Sequence, residues 1–296
     1  MSLMGERAAQ AYQLVVWEIG IALRVARHQL MVQTRYRNRF VIDLLGHLLA
    51  TLPIILTAWA FSDGRVSARL AAMTGLPDQF TFIMLGLIAF TALGVGNMVM
   101  LDSHVAGGVA TEMETGTLER LFTTPVHRVT LVVGISLYYL VLFTYQSVTL
   151  FAGAALVFGF EPSLTGEGVL CGAVCLLLLL GLNLFLGIIG ASLIMAFKDG
   201  TVYTLLIHRP MAMVSGAYFL VELIPHPFRL LAYVNPLAYA IDAFRGALTG
   251  RTLLLASLQV EMAVVAGMVV VVGIAALLLF RRMMVRLERT GALALF

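Results

Sequence analysis

The sequence predicts an all-α integral membrane protein: six transmembrane helices, an N-terminal interfacial amphipathic helix, and an outer re-entrant region of short helices between spans five and six. Three observations predict it. Only 12% of the residues are charged, against roughly 25% in an ordinary soluble domain. Hydrophobic residues make up 60% of the chain and gather into long blocks instead of recurring at a period of 2 or 3.6, so lipid rather than a protein core surrounds them. The blocks at 41–61, 80–101, 130–158, 168–196, 203–222 and 258–280 each reach about 20 residues, enough to cross roughly 30 Å of hydrocarbon.

Ahead of the first span, residues 8–34 carry two apolar stripes, Leu14, Trp17, Ile21, Val25, Val32 and Ile19, Leu23, Ala26, Leu30. Glu18, Arg24, Arg27 and His28 argue against spanning, so the segment is either a helix lying in the interface or a loosely bound basic arm. The third and fourth blocks exceed what a span requires, and tilt or interfacial residues absorb the excess. Arg7, Arg24, Arg27, Arg35, Arg37, Arg39, Arg120, Arg128, Lys198, Arg281, Arg282, Arg286 and Arg289 gather on one side of this topology, and only Arg65, Arg69, Arg229, Arg245 and Arg251 on the other. The excess of positive charge places both termini in the cytoplasm of a multi-pass protein of the cell (inner or plasma) membrane. The net charge of +3 is a topology signal and points to no nucleic acid, because the basic residues sit beside the apolar blocks. No short apolar core with a small-residue cleavage site precedes them, so the spans themselves are expected to target the chain. The whole of 1–296 reads as a single transmembrane domain.

The outer segment 223–257 is more than a loop. Pro225 and Pro227 interrupt span five, Asn235 suits an N-cap, Pro236 a first helical residue and Gly250 a terminator. Leu237, Ile241, Phe244 and Leu248 share one face, and Asp242 and Arg245 can pair three residues apart. About fourteen residues at 1.5 Å each give only some 21 Å, too short to cross.

Between spans two and three lies 111–128, TEMETGTLERLFTTPVHR. Thr111 and Glu114 have capping-box spacing, Gly116 allows a change of direction, and Thr117 can cap a short helix. Leu118, Leu121 and Phe122 share its face while Glu119 and Arg120 point elsewhere, and Pro125 prevents its continuation into span three. A solvated loop explains the charges but not the apolar triplet, which needs a partner surface.

The run from Glu114 to Arg128 resembles the segment after the second span in permeases of the ABC-2 type, the type V exporters. Ser215-Gly216, Glu222 to Pro225 and Tyr233 to Arg245 resemble the same family's end of span five and outer re-entrant region. The resemblance implies a half-transporter that dimerises, with a second copy or a related permease, and binds two ABC ATPase subunits on the cytoplasmic side. In such proteins the partner binds ATP and Mg, and this chain holds neither cofactor nor metal. Carried over by position, Leu118, Leu121 and Phe122 supply the apolar ATPase contact, and Glu112, Glu114, Glu119, Arg120 and Arg128 its polar rim. Ile135 stands where the family often has a basic residue, which removes one such contact. Pro225, Asn235, Pro236, Tyr239, Asp242 and Arg245 become the candidate outer gate.

No G-x-x-x-x-G-K-[ST] stretch is present to cradle a phosphate, so ATP hydrolysis is expected on another polypeptide, and no catalytic motif marks the chain as an enzyme. Cys171 and Cys175 read as small buried hydrophobes rather than a metal pair. Asp43 and His47 stand four apart near the start of span one, where snorkelling to headgroups competes with a proton relay. His208-Arg209-Pro210 either faces a polar cavity or marks a later start of span five. Trp59, His208, Arg209, Tyr218 and Phe219 form the candidate substrate path, with aromatic-belt anchoring as the alternative for the rings. Glu261 is expected near the outer interface, paired with Arg251 or Arg245, and Asn97, Gln146 and Asn183 as interhelical hydrogen-bonding groups. The expected function is export of an amphiphilic substrate, a drug, a lipid or a lipid-linked glycan. A secondary transporter, channel or membrane-embedded enzyme using Asp43, His47, His208 and Glu261 is the alternative.

Overall fold

A computed structural model describes residues 2–35, 37–60, 79–101, 126, 128–159, 165–198 and 204–290. These form α1 (Ser2–Arg35), α2 (Arg37–Ala60), α3 (Gln79–Leu101), α4 (Arg128–Phe158), α5 (Gly166–Phe197), a π-helical turn (Thr204–His208), α6 (Arg209–Met213), a 3-10 turn (Val221–Leu223), α7 (His226–Val234), α8 (Pro236–Thr249) and α9 (Leu258–Thr290). There is no strand among the described residues.

Among the described residues three helices are long and apolar enough to cross a membrane, over Val133–Phe158, Gly166–Phe197 and Leu258–Leu287, and Leu48–Ala60 and Phe80–Thr91 are shorter apolar helices. α5 is the centre, packed by α3, α8 and α9. Its first turn is fixed by Thr165, whose hydroxyl accepts from the Gly168 amide at 3.1 Å. Its last turn ends on Lys198 in the left-handed conformation. α3 and α4 run antiparallel: the Phe80 and Phe158 rings lie 5.7 Å apart, and the Thr91 and Ser147 hydroxyls are bonded at 2.9 Å eleven residues further in. The first half of α3 is buried on all sides, with Phe82, Met84, Leu85 and Leu87 among the most enclosed side chains. Here the apolar sequence signals a protein core, which hydropathy cannot distinguish from a lipid-facing helix.

α1 crosses α4 where Gly134 leaves no room for a side chain; a Cβ there would stand 2.8 Å from the Val25 Cβ and 2.9 Å from the Ala22 carbonyl. Ala22 and Ala26 turn inward, while Leu14, Trp17, Ile19 and Leu23 are exposed. α2 is peripheral and exposes Val41, Ile42, Leu45, Leu49, Leu56 and Trp59.

The stretch 203–222 differs from the single fifth span expected. Its described part winds as a π turn, continues as the five-residue α6, and then bends from Ser215 to Phe219. Pro210 supplies no amide to the turn before it, and Gly216 sits at φ 73°, a conformation that ends a helix. Asn183 also departs from expectation: its Nδ2 donates to the Leu179 carbonyl of its own helix at 2.9 Å, not to a neighbour. The side chain of Asn97 lies outside the described residues.

Candidate functional site

The bends between α6 and α7, and the linker between α8 and α9, leave backbone groups without helical partners inside an apolar bundle. Such groups cost several kcal/mol each in hydrocarbon unless something satisfies them. α8 supplies the partners. Its start is set by Asn235, whose Oδ1 accepts from the Leu237 amide at 3.1 Å, with Pro236 at the first helical position and Gly250 left-handed at its end. The Asn235 Nδ2 donates to the Met211 carbonyl at 2.7 Å and ties α8 to α6. The Tyr239 hydroxyl donates to the Tyr233 carbonyl at 2.9 Å, closing α7 onto α8. Pro225 stands just before α7 as its N-cap residue.

Asp242 and Arg245, expected to pair with each other, spend their hydrogen bonds on the irregular backbone either side of α8. The Arg245 guanidinium donates to the Phe82 carbonyl at 3.2 Å and the Gly216 carbonyl at 2.7 Å, and to the Ala217 carbonyl. It also lies 3.7 Å over the Phe82 ring, where the ring face attracts a cation. One turn earlier, the Asp242 Oδ2 accepts from the amides of Leu253 at 2.7 Å and Leu254 at 2.8 Å. Arg245 thus serves the segment before α8 and Asp242 the segment after it. Unpaired backbone groups outcompete the i, i+3 ion pair because leaving them buried costs more than such a pair contributes. Burial lifts the Asp242 carboxyl above its ordinary range, and the two amides and Arg245 work against that rise.

Gly86 makes the approach possible. A Cβ there would fall 2.0 Å from both the Ala217 carbonyl oxygen and the Arg245 Nη2. Neither Gly86 nor Phe82 was singled out from sequence; a glycine within an apolar span is the signal that could have found the first, since small residues let helices approach closely. A cavity of about 200 Å3 opens beside this cluster, lined by Phe82, Ser215, Glu222, Asp242, Arg245 and Arg251 among others. A second, of about 330 Å3, lies between the starts of α5 and α9 and the end of α8, with Glu167, Cys171, Gly246 and Leu258 on its walls.

None of the substrate-path candidates lines either cavity. Trp59 packs on Phe158 at 6.1 Å, and Tyr218 on Phe90 at 4.9 Å. Phe219 and Arg209 are exposed, and His208 closes the π turn. Glu261, expected to meet an arginine, is fully buried and reaches no hydrogen-bond donor among the described residues; the guanidinium of Arg245 is already held by carbonyls. The side chains of Asp43 and His47 lie outside the described residues.

Glu112, Glu114, Gly116, Thr117, Leu118, Glu119, Arg120, Leu121, Phe122 and Pro125 also lie outside the described residues, and Arg128 begins α4. α8 packs on α3, α5 and α9, touching α3 at Phe82 and Gly86, while 102–127 joins the far end of α3 to the start of the antiparallel α4. Phe82 and Gly86 stand near the start of α3, and Leu101 ends it. From Phe82 to Leu101, at 1.5 Å per residue, that is roughly 28 Å.

Comparison with protein families gives a match over residues 28–249 to the model described as ABC-2 type transporter. The matched range runs from the last turns of α1 to the end of α8 and includes both 111–128 and 215–245. Comparison with curated proteins returned no match.

Proposed function

The chain belongs to the ABC-2 type transporter family, and we propose that it is the transmembrane permease subunit of an ATP-driven exporter. The observation that carries this reading is the extent of the family match, 28–249, in a chain with no phosphate-cradling motif of its own. In the proposed complex two copies of the permease stand side by side with both termini cytoplasmic, and two separate ATPase subunits bind ATP and Mg. Spans one and two are built on α2 and α3, spans three, four and six on α4, α5 and α9, and the broken 203–222 stretch makes the fifth crossing.

The ATPase docks at 111–128 through Leu118, Leu121 and Phe122, rimmed by Glu112, Glu114, Glu119, Arg120 and Arg128. Gly116, Thr117 and Pro125 set the direction of the segment. A push there enters α3 and α4 at their adjoining ends. At the other end of α3, Phe82 and Gly86 hold Arg245 and the 215–217 turn, so displacement of α3 reaches the outer helix pair through a hydrogen-bonded contact.

The cargo is an amphiphile taken from the cytoplasm or the inner leaflet. Cavities of about 200 and 330 Å3 within one chain fall at or below the lower end of drug-binding pockets, roughly 300–1,000 Å3. The substrate therefore passes between copies, along the exposed apolar face of α2 and past Trp59 and Phe219. Leu118→Asp tests the coupling role. It is expected to abolish both capture of the ATPase and substrate-stimulated ATP hydrolysis in reconstituted complexes; survival of both would exclude 111–128 as the docking segment.

A further inference from the structure

We infer that Glu261 and Asp242 form a proton-binding carboxyl pair, one proton held between two buried acids, that fastens α8 to the start of α9. Glu261 is 0% exposed and Asp242 3%. The two side chains are within hydrogen-bonding contact, yet among the described residues neither oxygen of Glu261 reaches a donor. Two ionised carboxylates offer each other only acceptors, so the contact is favourable only when a proton lies in it.

Among the described residues the surroundings supply no substitute. α9 packs against α5 and α8. On α8, Asp242 is in contact with Glu261 and Tyr239 lies close enough to feel its charge, with Arg245 next along the helix. The Tyr239 hydroxyl is donated to Tyr233, and the Arg245 guanidinium to three backbone carbonyls. From α5, Cys175 lies close enough to feel the charge of Glu261 and is a weak donor at best; Glu167 and Cys171 belong to the neighbouring cavity at the start of α5. Arg251 of the linker faces the other cavity, beside Asp242. Among the described residues, one buried cation thus stands with two buried acids. A second copy of the chain cannot supply another to Glu261, since no surface of that side chain is open.

The proton's place follows from the hydrogen bonds. The Asp242 Oδ2 accepts two amides, which favours its ionised form, and Arg245 balances that charge. Glu261 then carries the proton and donates its O–H to Asp242. Its position in the first turn of α9 favours an anion through the helix dipole, but that gain is smaller than the cost of an unpaired charge in a dry interior. Water in the cavity lined by Asp242 and Arg251 is the source and sink of the proton, and binding is a simple protonation with no change of oxidation state. With the proton the trio of Arg245, Asp242 and Glu261 is neutral. Without it two like charges face each other, and α8 is pushed from α9.

This inference concerns the chain alone and does not depend on the transport reading. Infrared spectroscopy of the purified full-length chain in lipid nanodiscs, titrated from neutral to alkaline pH, tests it. The expected result is a carboxylic-acid C=O band at neutral pH that is lost in Glu261→Gln, shifted in Asp242→Asn, and lost in the native chain at alkaline pH. A neutral-pH spectrum with no such band, or a band that Glu261→Gln leaves unchanged, overturns the proposal. Should Glu261→Gln fail to fold, the native chain and Asp242→Asn decide: an absent band, or one that Asp242→Asn does not shift, overturns it equally.

Discussion

α8 and α2 are both helices whose sequence mixes apolar and polar residues, and the bundle treats them oppositely. Between Leu237 and Ala247 nearly every residue of α8 is buried, Asp242 and Arg245 included, whereas α2 shows Val41, Ile42, Leu45 and Leu49 at its surface. The difference lies in what each helix offers its neighbours. α8 carries polar groups that match unsatisfied backbone on both sides of it, so burying it lowers the cost of two irregular segments. The side chains that α2 turns outward at Val41, Ile42, Leu45 and Leu49 are apolar, and lipid or a second copy solvates them as well as the bundle does. Between these two helices, polar complementarity rather than hydrophobicity decides which one goes inside.

The comparison breaks most readily at Arg245. Arg245→Ala leaves the Phe82, Gly216 and Ala217 carbonyls and the Asp242 charge without their partner, and is expected to cost about 3–5 kcal/mol, seen as a lowered Tm of the detergent-purified chain. Arg245→Lys should recover only part of this, because a single ammonium cannot reproduce a planar fork. Gly86→Ala comes next, since its methyl would collide with the Ala217 carbonyl and Arg245; about 1–3 kcal/mol is expected, with faster hydrogen exchange in α8 as the local readout. Asn235→Ala removes the cap of α8 and its tie to Met211, an expected loss of about 1 kcal/mol. Leu49→Ala on α2, where the side chain is 65% exposed, should change the Tm of the isolated chain by less than about 0.5 kcal/mol equivalent. A larger effect confined to the assembled complex would identify that face as the contact between copies.

The helix from Pro236 to Thr249 was legible because its signals are local: an asparagine cap, a proline at the first turn and a glycine after the last. The partners of Arg245 were not, because Phe82 lies 163 residues away in sequence and no periodicity reports on a distant carbonyl. The i, i+3 spacing of Asp242 and Arg245 suggested a pair, and backbone demand redirected both. Hydropathy marked 203–222 as apolar but could not show that Pro210 and Gly216 divide it. The apolar triplet at Leu118, Leu121 and Phe122 rests on sequence pattern and family membership, since it lies outside the described residues.

The central claim is that Arg245 closes α8 against α3 as one buried body. Cysteine labelling tests it most directly, using Ala243→Cys, a position 1% exposed, in a chain whose Cys171 and Cys175 are replaced by alanine. The account predicts no reaction with a water-soluble maleimide in the native background and rapid reaction once Arg245→Ala is added. Equal labelling in the two backgrounds would contradict it.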